Sequence, residues 1–329
     1  MTEETLLQAV NVVKHFPVLK SKVLGSKITS WVHACDGVNL NIRTGEVVGL
    51  VGESGCGKTT FARVVLGLID PTGGEAYFKG VNIFQVFQSR DRRRILQLRR
   101  KMQLVFQNPY GSLNPRWTVE NIIAEPFEIH KHVEKNERRK RVSNLLSLVG
   151  LEDYHAERYP HEFSGGQRQR ICIARALAVE PEFIIWDEPV SSLDVSIRAQ
   201  ILNLMRELQN KLNLTYLYIS HDLASVKHIS GTVMVMYLGK IVEYGSAEQV
   251  FESPLHPYTV ALLSAIPVPD PTTKSQRIVL PGEVPSPINP PSGCRFHPRC
   301  PKAMAACSTE EPVSREAAKG HVVACHLYD

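Results

Sequence analysis

The sequence predicts an α/β fold with a helical insertion and a Pro- and Cys-rich C-terminal extension. Three observations carry the prediction. Short apolar runs of strand length alternate with stretches whose apolar residues recur at helical spacing, the rhythm of strands joined by helices. Charged helical text gathers between the first and second of those strands. Twelve of the 21 prolines then fall between Pro254 and Pro301, a density that forbids long helices and marks a loop-rich region.

In chain order, residues 38–51, "VNLNIRTGEVVGLV", alternate and then turn continuously apolar, as a half-buried strand followed by a buried one would. A glycine-rich turn follows, and residues 59–69, "TTFARVVLGLI", read as a helix. Residues 88–103 and 134–150 are charged and read as helices, which places the helical insertion at about 110–180. "FIIWD" (183–187) and "TYLYIS" (215–220) read as further buried strands, with the helical run "VSIRAQILNLMRELQNKL" between them. The texture changes after about residue 250, and no internal repeat is visible.

At 329 residues the chain has room for one large domain, or for a domain with an extension. Its apolar content of 43% and charged content of 22% are those of a globular protein, not a disordered one. The opening "MTEETLLQAV" is acidic where a secretory signal is basic, and no apolar run reaches the roughly 18–20 residues that span a bilayer. The chain is therefore expected in the cytoplasm, where a disulfide framework is disfavoured and the seven cysteines are left for metal binding, catalysis or burial. A net charge of +5 is compatible with nucleic acid or an anionic membrane surface and selects neither.

The segment Gly52–Thr59, "GESGCGKT", fits G-x-x-x-x-G-K-[ST] and stands after a buried strand at a helix start, the context that motif requires. Gly52, Gly55 and Gly57 let the N–H groups around Ser54 and Cys56 curl about an anion, while the helix start at Lys58, Thr59 and Thr60 adds its positive dipole end. Lys58 is placed to reach the β- and γ-phosphates of ATP, and Thr59 to bind Mg2+. "FIIWDEP" ends a strand in Asp187 and Glu188, at the sheet edge where such folds bind ligands. Adjacent residues point differently, so Asp187 can hold Mg2+ while Glu188 orients or deprotonates a water, a role worth about 10²- to 10⁴-fold in rate. Two carboxylates ending a strand are more often merely solvated, and the upstream phosphate loop is what tips the balance. "FSGGQRQR" (163–170) precedes helical text to Ala178, so Ser164, Gly165 and Gly166 offer a second backbone anion site. One ATP needs only one phosphate loop.

With these residues in place the chain resembles an ATP-binding cassette (ABC) ATPase over roughly residues 6–250, and "FSGGQ" is similar to that family's signature apart from Phe163 in place of the more usual leucine. The resemblance implies a P-loop NTPase core in residues 1–250. It also implies roles for Gln107 of "VFQNP" as the Q-loop glutamine serving Mg2+ and catalysis, for Ser192 and Asp194 of "SSLD" as the D-loop, and for His221 of "ISHD" as the switch histidine. Phe16 of "KHFPV" looks like the residue on which adenine stacks, although a lone aromatic is more often core and Trp31 lies nearby. In the mechanism so implied, two cassettes meet head to tail. Each ATP lies between one phosphate loop and Ser164, Gly165, Gly166 and Gln167, or their counterparts, of the other cassette. Hydrolysis opens the sandwich and drives a membrane partner.

"QNPYGSLNPR" (107–116), "HPYT" (256–259) and "GCRFHPRC" (293–300) extend the resemblance to the ATPase subunits of dipeptide and oligopeptide (Dpp/Opp) importers, nearer the F-type subunit, over almost the whole chain. The implied partners are a second ABC ATPase (a heterodimer, or a homodimer in isolation), two integral-membrane permease subunits and, indirectly, an external solute-binding protein. The implied location is peripheral, on the cytoplasmic face of the inner membrane. Similar ATPases serve nickel, glutathione or short sugars, so the solute is the softest part of the resemblance. Tyr110 and Leu113 are expected to face the permease. The basic runs 89–101 and 134–141 raise a nucleic-acid ATPase as a rival, but such ATPases fuse two cassettes or insert a long coiled coil, and basic helix faces are usually just solvated. No nucleic-acid partner is expected.

Cys294, Cys300, Cys307 and Cys325 crowd into the last 36 residues. Four thiolates match the ligand count of an iron–sulfur cluster or of structural zinc, and a metal would staple an extension with little core of its own. The spacing C-x₅-C-x₆-C-x₁₇-C fits neither the usual zinc pairs nor the common ferredoxin runs and leaves the metal open. The resemblance to peptide-importer ATPases, some of which carry a cluster here, favours a [4Fe–4S] cluster of structural role, with Zn2+ as the alternative. Cys35, Cys56 and Cys172 are expected to be packing residues.

Overall fold

The apolar runs at 183–187 and 215–219 become strands in which every residue is buried. Continuous burial without alternation is the mark of a parallel strand covered on both faces. In the computed structural model, which describes residues 4–22, 25–266 and 278–329, the strands in chain order are β1 (Thr5–Lys22), β2 (Gly25–Arg43), β3 (Val47–Val51), β4 (Gly73–Phe78), β5 (Val81–Asn82), β6 (Met102–Val105), β7 (Phe183–Asp187), β8 (Thr215–Ile219), β9 (Thr232–Tyr237), β10 (Lys240–Ser246), β11 (Ser314–Ala318) and β12 (His321–Ala324). Pro267, Pro269 and Pro271 lie outside the described residues.

The chain divides into two compact units. One is mainly Gln85–Ile219. Its β6, β7 and β8 run parallel with β7 between the others, Met102 lying opposite Phe183 and Phe183 opposite Thr215. The insertion is helical, with helices Pro109–Ser112, Val119–His130, Arg138–Leu148 and Gly165–Leu177, and helix Val195–Leu212 follows β7. Helices Gly165–Leu177 and Val195–Leu212 touch where a Cβ on Gly166 would come 2.4 Å from Ile197 Cγ2, so only glycine permits that approach. Parts of the basic runs are paired: Arg100 and Arg141 reach Glu180, Arg138 reaches Glu128, and Arg139 reaches Asp153.

The other unit is Thr5–Ile42, Val47–Phe84 and Ser220–Asp329. Here β3 and β9 are parallel, β10 and the β11–β12 hairpin add on antiparallel, and a second sheet has the order β2-β1-β4-β5. The hairpin is anchored beneath its surface. Glu243 of β10 is 1% exposed, and its carboxylate accepts from Leu255 N–H (2.8 Å), His256 N–H (2.9 Å) and His321 Nε2 (2.8 Å).

Some expected boundaries move. The helix expected at 59–69 spans Lys58–Val65, because Leu68 N–H closes back on Arg63 O at 2.8 Å and ends it. The helices expected at 88–103 and 134–150 shrink to Arg92–Lys101 and Arg138–Leu148, and the first runs directly into β6. The half-buried strand expected from residue 38 is the end of β2, while the rest of the N-terminal sheet and the C-terminal hairpin carry no sequence signal. Among the described residues no helix is long and apolar enough to cross a membrane.

Candidate functional site

The loop after β3 lies in the second unit and turns from Gly52 into helix Lys58–Val65. Gly57 has φ 114, and a Cβ there would sit 2.0 Å from Ala34 O, so the turn admits no side chain. Because the helix cap is this glycine, it makes no side-chain cap hydrogen bond to the positive end of the helix. Ser54 and Gly55 are exposed at the loop's outer bend, and Thr59 and Thr60 open the helix half-buried. Lys58 is 5% exposed, and its Nζ donates to Gly52 O (2.7 Å) and Glu53 O (3.1 Å). A lysine folded over its own loop carbonyls can exchange them for an anion's oxygens without moving its stem. Cys56 is buried beside Lys58, and burial pushes its thiol up despite the neighbouring ammonium.

In the same unit, Phe16 lies half-buried on β1 with Lys14 Nζ 4.8 Å from its ring centroid. His221 is exposed, two residues past the end of β8, and precedes a helix capped by Asp222.

The carboxylates lie in the first unit. Asp187 ends β7 and is 4% exposed, while Glu188 follows with φ 50 and donates its N–H to Ile219 O at 2.9 Å. A non-glycine residue held in that left-handed region costs about 1–2 kcal/mol, and such strain clusters where a side chain must be aimed. Glu188 Oε2 accepts from Gln107 Nε2 at 2.8 Å, and Gln107 stands exposed two residues beyond β6. Thus Gln107 and Glu188, 81 residues apart, meet.

The segment at 164–167 starts helix Gly165–Leu177 with a reciprocal cap. Ser164 Oγ accepts Gln167 N–H at 3.3 Å, and Gln167 Oε1 accepts Ser164 N–H at 3.1 Å. Gly165 follows Ser164 as the helix's first residue. Ser192 and Asp194 are exposed, and Asp194 caps helix Val195–Leu212, its carboxyl held low by the Ile197 N–H. Tyr110 and Leu113 part company. Tyr110 is 65% exposed with the Arg168 guanidinium 3.9 Å over its ring, but Leu113 is 3% exposed, so the expectation that Leu113 faces a partner is corrected to packing.

The four C-terminal cysteines lie near one another. Cys307 and Cys325 are buried, Cys294 and Cys300 half-buried, and Cys294 N–H donates to Cys307 O at 2.9 Å. Burial, and then the charges of Cys307, Cys325 and Cys300, push the Cys294 thiol up to about 11. Burial first, and then the neighbouring thiols, also raise Cys300 and Cys325. No three of these sulfurs lie within 4.8 Å of one another.

Sequence reasoning missed one cluster. His15 Nε2 and His33 Nδ1 lie 3.2 and 3.1 Å from the two Asp36 oxygens, and this is the one triad of possible ligands within 4.8 Å among the described residues. Arg295 already pairs with Asp36. Burial pushes that carboxyl up, but Arg295 and the two histidines outweigh it and hold it at about 2. Positions 15, 33, 36 and 295 carry no spacing signal that could have revealed the cluster.

Residues 35–191 match the family described as ABC transporter, and residues 242–307 match the oligopeptide/dipeptide transporter C-terminal region. The chain is 52% identical to the oligopeptide transport ATP-binding protein AppF of Bacillus subtilis, over 99% of this chain and 98% of that protein. It is 48% identical to the dipeptide transport ATP-binding protein DppF of Escherichia coli, over 99% of this chain and 96% of that protein. Among solved structures, the dimeric post-hydrolysis state of an ATP-binding cassette bound to ADP and Pi is similar with a TM-score of 0.62 and 28% identity, covering 74% of this chain and 99% of that one.

Proposed function

The chain belongs to the ATP-binding proteins of ABC transporters, in the group that carries the oligopeptide/dipeptide C-terminal region, and from that premise we propose that it hydrolyses ATP to power import of di- or oligopeptides through a separate membrane permease. One observation supports the catalytic part most directly: the strained Glu188 at the end of β7, with its carboxylate gripped by Gln107 at 2.8 Å. On this reading residues 1–250 are the nucleotide-binding part, with its helical subdomain at about 110–180, and residues 251–329 are the extension.

Gly52, Ser54, Gly55, Cys56, Gly57, Lys58, Thr59 and Thr60 cradle the phosphates, Lys58 exchanging Gly52 O and Glu53 O for the β- and γ-oxygens. Phe16 stacks on adenine. Thr59, Gln107 and Asp187 would hold Mg2+, which when bound neutralises phosphate charge. Glu188 takes a proton from the attacking water as its oxygen bonds to the γ-phosphorus. The bond to the bridging oxygen breaks, leaving ADP and phosphate, and His221 donates toward the γ-phosphate oxygens. In a dimer with a second ATPase, Ser164, Gly165, Gly166 and Gln167 present their helix start to the partner's nucleotide, and Ser192 and Asp194 line the seam. The similar cassette bound to ADP and Pi is dimeric, which supports the pairing of two cassettes.

The dimer works beneath two permease subunits, with an external solute-binding protein delivering the cargo, and the chain sits on the cytoplasmic face of the membrane. Cys294, Cys300, Cys307 and Cys325 would hold a [4Fe–4S] cluster, with Zn2+ as the alternative; the backbone bond from Cys294 N–H to Cys307 O and the raised thiols of Cys294, Cys300 and Cys325 support four cysteines gathered in one place. When bound, the cluster would cross-link the extension. Co-purification with the permease and the second ATPase, followed by ATP turnover in the presence of peptides, nickel, glutathione or short sugars, tests the whole reading. Stimulation by peptides is expected; stimulation by another solute alone would reassign the cargo, and no turnover with any of them would overturn the function.

A further inference from the structure

The extension reaches the phosphate loop at Glu53, the loop's second residue. Both carboxylate oxygens of Glu53 accept from one guanidinium, Arg299 Nη1 to Oε2 at 2.9 Å and Nη2 to Oε1 at 3.3 Å. Glu53 N–H donates to Tyr258 Oη at 2.8 Å, while Glu53 O is one of the two carbonyls that hold Lys58. One residue of the loop is therefore fixed through its side chain and its N–H by residues that follow 250, and through its carbonyl by the lysine itself. The clamp is built deep. Arg299 is 7% exposed and also reaches Tyr237 Oη, and the Phe296 ring packs against Tyr237 and Tyr258 at 5.3 and 5.5 Å. Arg299 ends a helical turn lying between Cys294 and Cys300.

We propose that Arg299 and Tyr258 are positioning residues for nucleotide binding, which hold Glu53 so that the phosphate loop keeps its shape and a carboxylate on that loop stays neutralised. Neither need touch ATP. A bidentate guanidinium fixes both the direction and the charge of its carboxylate. Released, Glu53 would put an unpaired negative charge on the loop that must receive a polyphosphate and would compete for Lys58. The inference rests on reading Gly52–Thr59 as the ATP site.

The test is the affinity of the full-length chain for a fluorescent ATP analogue, with KM, kcat and melting temperature measured on the same preparations. Arg299→Ala should weaken binding and raise KM about 10- to 100-fold, the range of a lost charge-assisted hydrogen-bond pair, while kcat changes less than about threefold because Glu188 is untouched. Adding Glu53→Ala to Arg299→Ala should recover at least threefold of the lost affinity, since it removes the orphaned carboxylate; a purely structural role for Arg299 predicts no recovery. Tyr258→Phe keeps the ring and removes only the acceptor for Glu53 N–H, and should weaken binding by about three- to tenfold. Affinity within twofold of wild type in both single variants would overturn the clamp, as would a double variant no better than Arg299→Ala. Should Arg299→Ala not fold, Tyr258→Phe with wild-type affinity overturns the clamp by itself. A wild-type chain that bound no analogue would instead sink the ATP-site reading beneath it.

Discussion

Replacing Glu188 by Gln separates the base from the shape of its site. The amide has the volume of the carboxylate, and its Oε1 can accept the Gln107 N–H that now reaches Glu188 Oε2 at 2.8 Å. Backbone strain at φ 50 is unchanged, because neither residue is branched at Cβ. The stability cost is then a charge-assisted hydrogen bond made neutral, about 1 kcal/mol, or at most about 2–4 °C in melting temperature. Losing a general base costs about 10²- to 10⁴-fold in rate, which is about 2.7–5.4 kcal/mol on the barrier. The barrier effect exceeds the stability effect several-fold, so folded protein that binds but does not turn over is expected. Phosphate release at saturating ATP should fall at least 100-fold with nucleotide affinity retained, and a dimer closed on ATP should accumulate. Turnover within a few-fold of wild type would refute the role of Glu188. A melting temperature lowered by far more than 4 °C would show that its backbone, not its carboxylate, is what the site needs.

Tyr110→Ala should lower solute-stimulated ATP turnover of the assembled transporter while leaving basal turnover within about twofold, whereas Leu113→Ala should destabilise the chain by about 2–4 kcal/mol and lower both together. Equal losses from Tyr110→Ala would deny it a coupling role. Glu243→Ala removes the acceptor of two N–H groups and one imidazole at a 1% exposed position, so unfolding of the extension should become easier by about 3–5 kcal/mol, read as a drop in denaturation midpoint and faster proteolysis after residue 250. Protein purified without oxygen should be brown and hold about four irons per chain, and serine at any of Cys294, Cys300, Cys307 or Cys325 should bleach it. Stoichiometric zinc in a colourless preparation would overturn the cluster, and a metal-free preparation would overturn the site.

The sequence disclosed what is continuous and withheld what is assembled. β7 and the helix Val195–Leu212 occupy the ranges read from the text because each is fixed locally, the strand by unbroken apolar residues and the helix by Asp194 at one end and Asn213 in a left-handed turn at the other. The helix expected at 88–103 overlaps Met102 and Gln103 of β6, since four residues after "RRK" are too few to show a period, and parallel pairing with β7 makes them a strand. β11 is exposed at every position and has no apolar signal at all; its partner β12 and, beyond that, β10 define it. The glycine loop and the carboxylates were visible because each is one short motif. The resemblance implies a role for Gln107 but not its pairing with Glu188, and the grip of Arg299 on Glu53 has no signal, being a contact between residues 246 positions apart.

That separation also sets a clock. A ribosome adding about 5–20 residues per second needs roughly 12–50 s to travel the 246 residues from Glu53 to Arg299. Asp36 waits longer still for Arg295, 259 residues on. During that interval Gln85–Ile219 has already been made and can collapse on its own strands and helices, while the strands before it stand without the last stretch of their unit. The nascent chain should therefore pass through a stage with a finished carboxylate site and an unfinished phosphate loop, unable to hold ATP tightly until translation is nearly complete. Premature termination before residue 299 would leave an inert product, not a cassette that consumes ATP unharnessed to a permease.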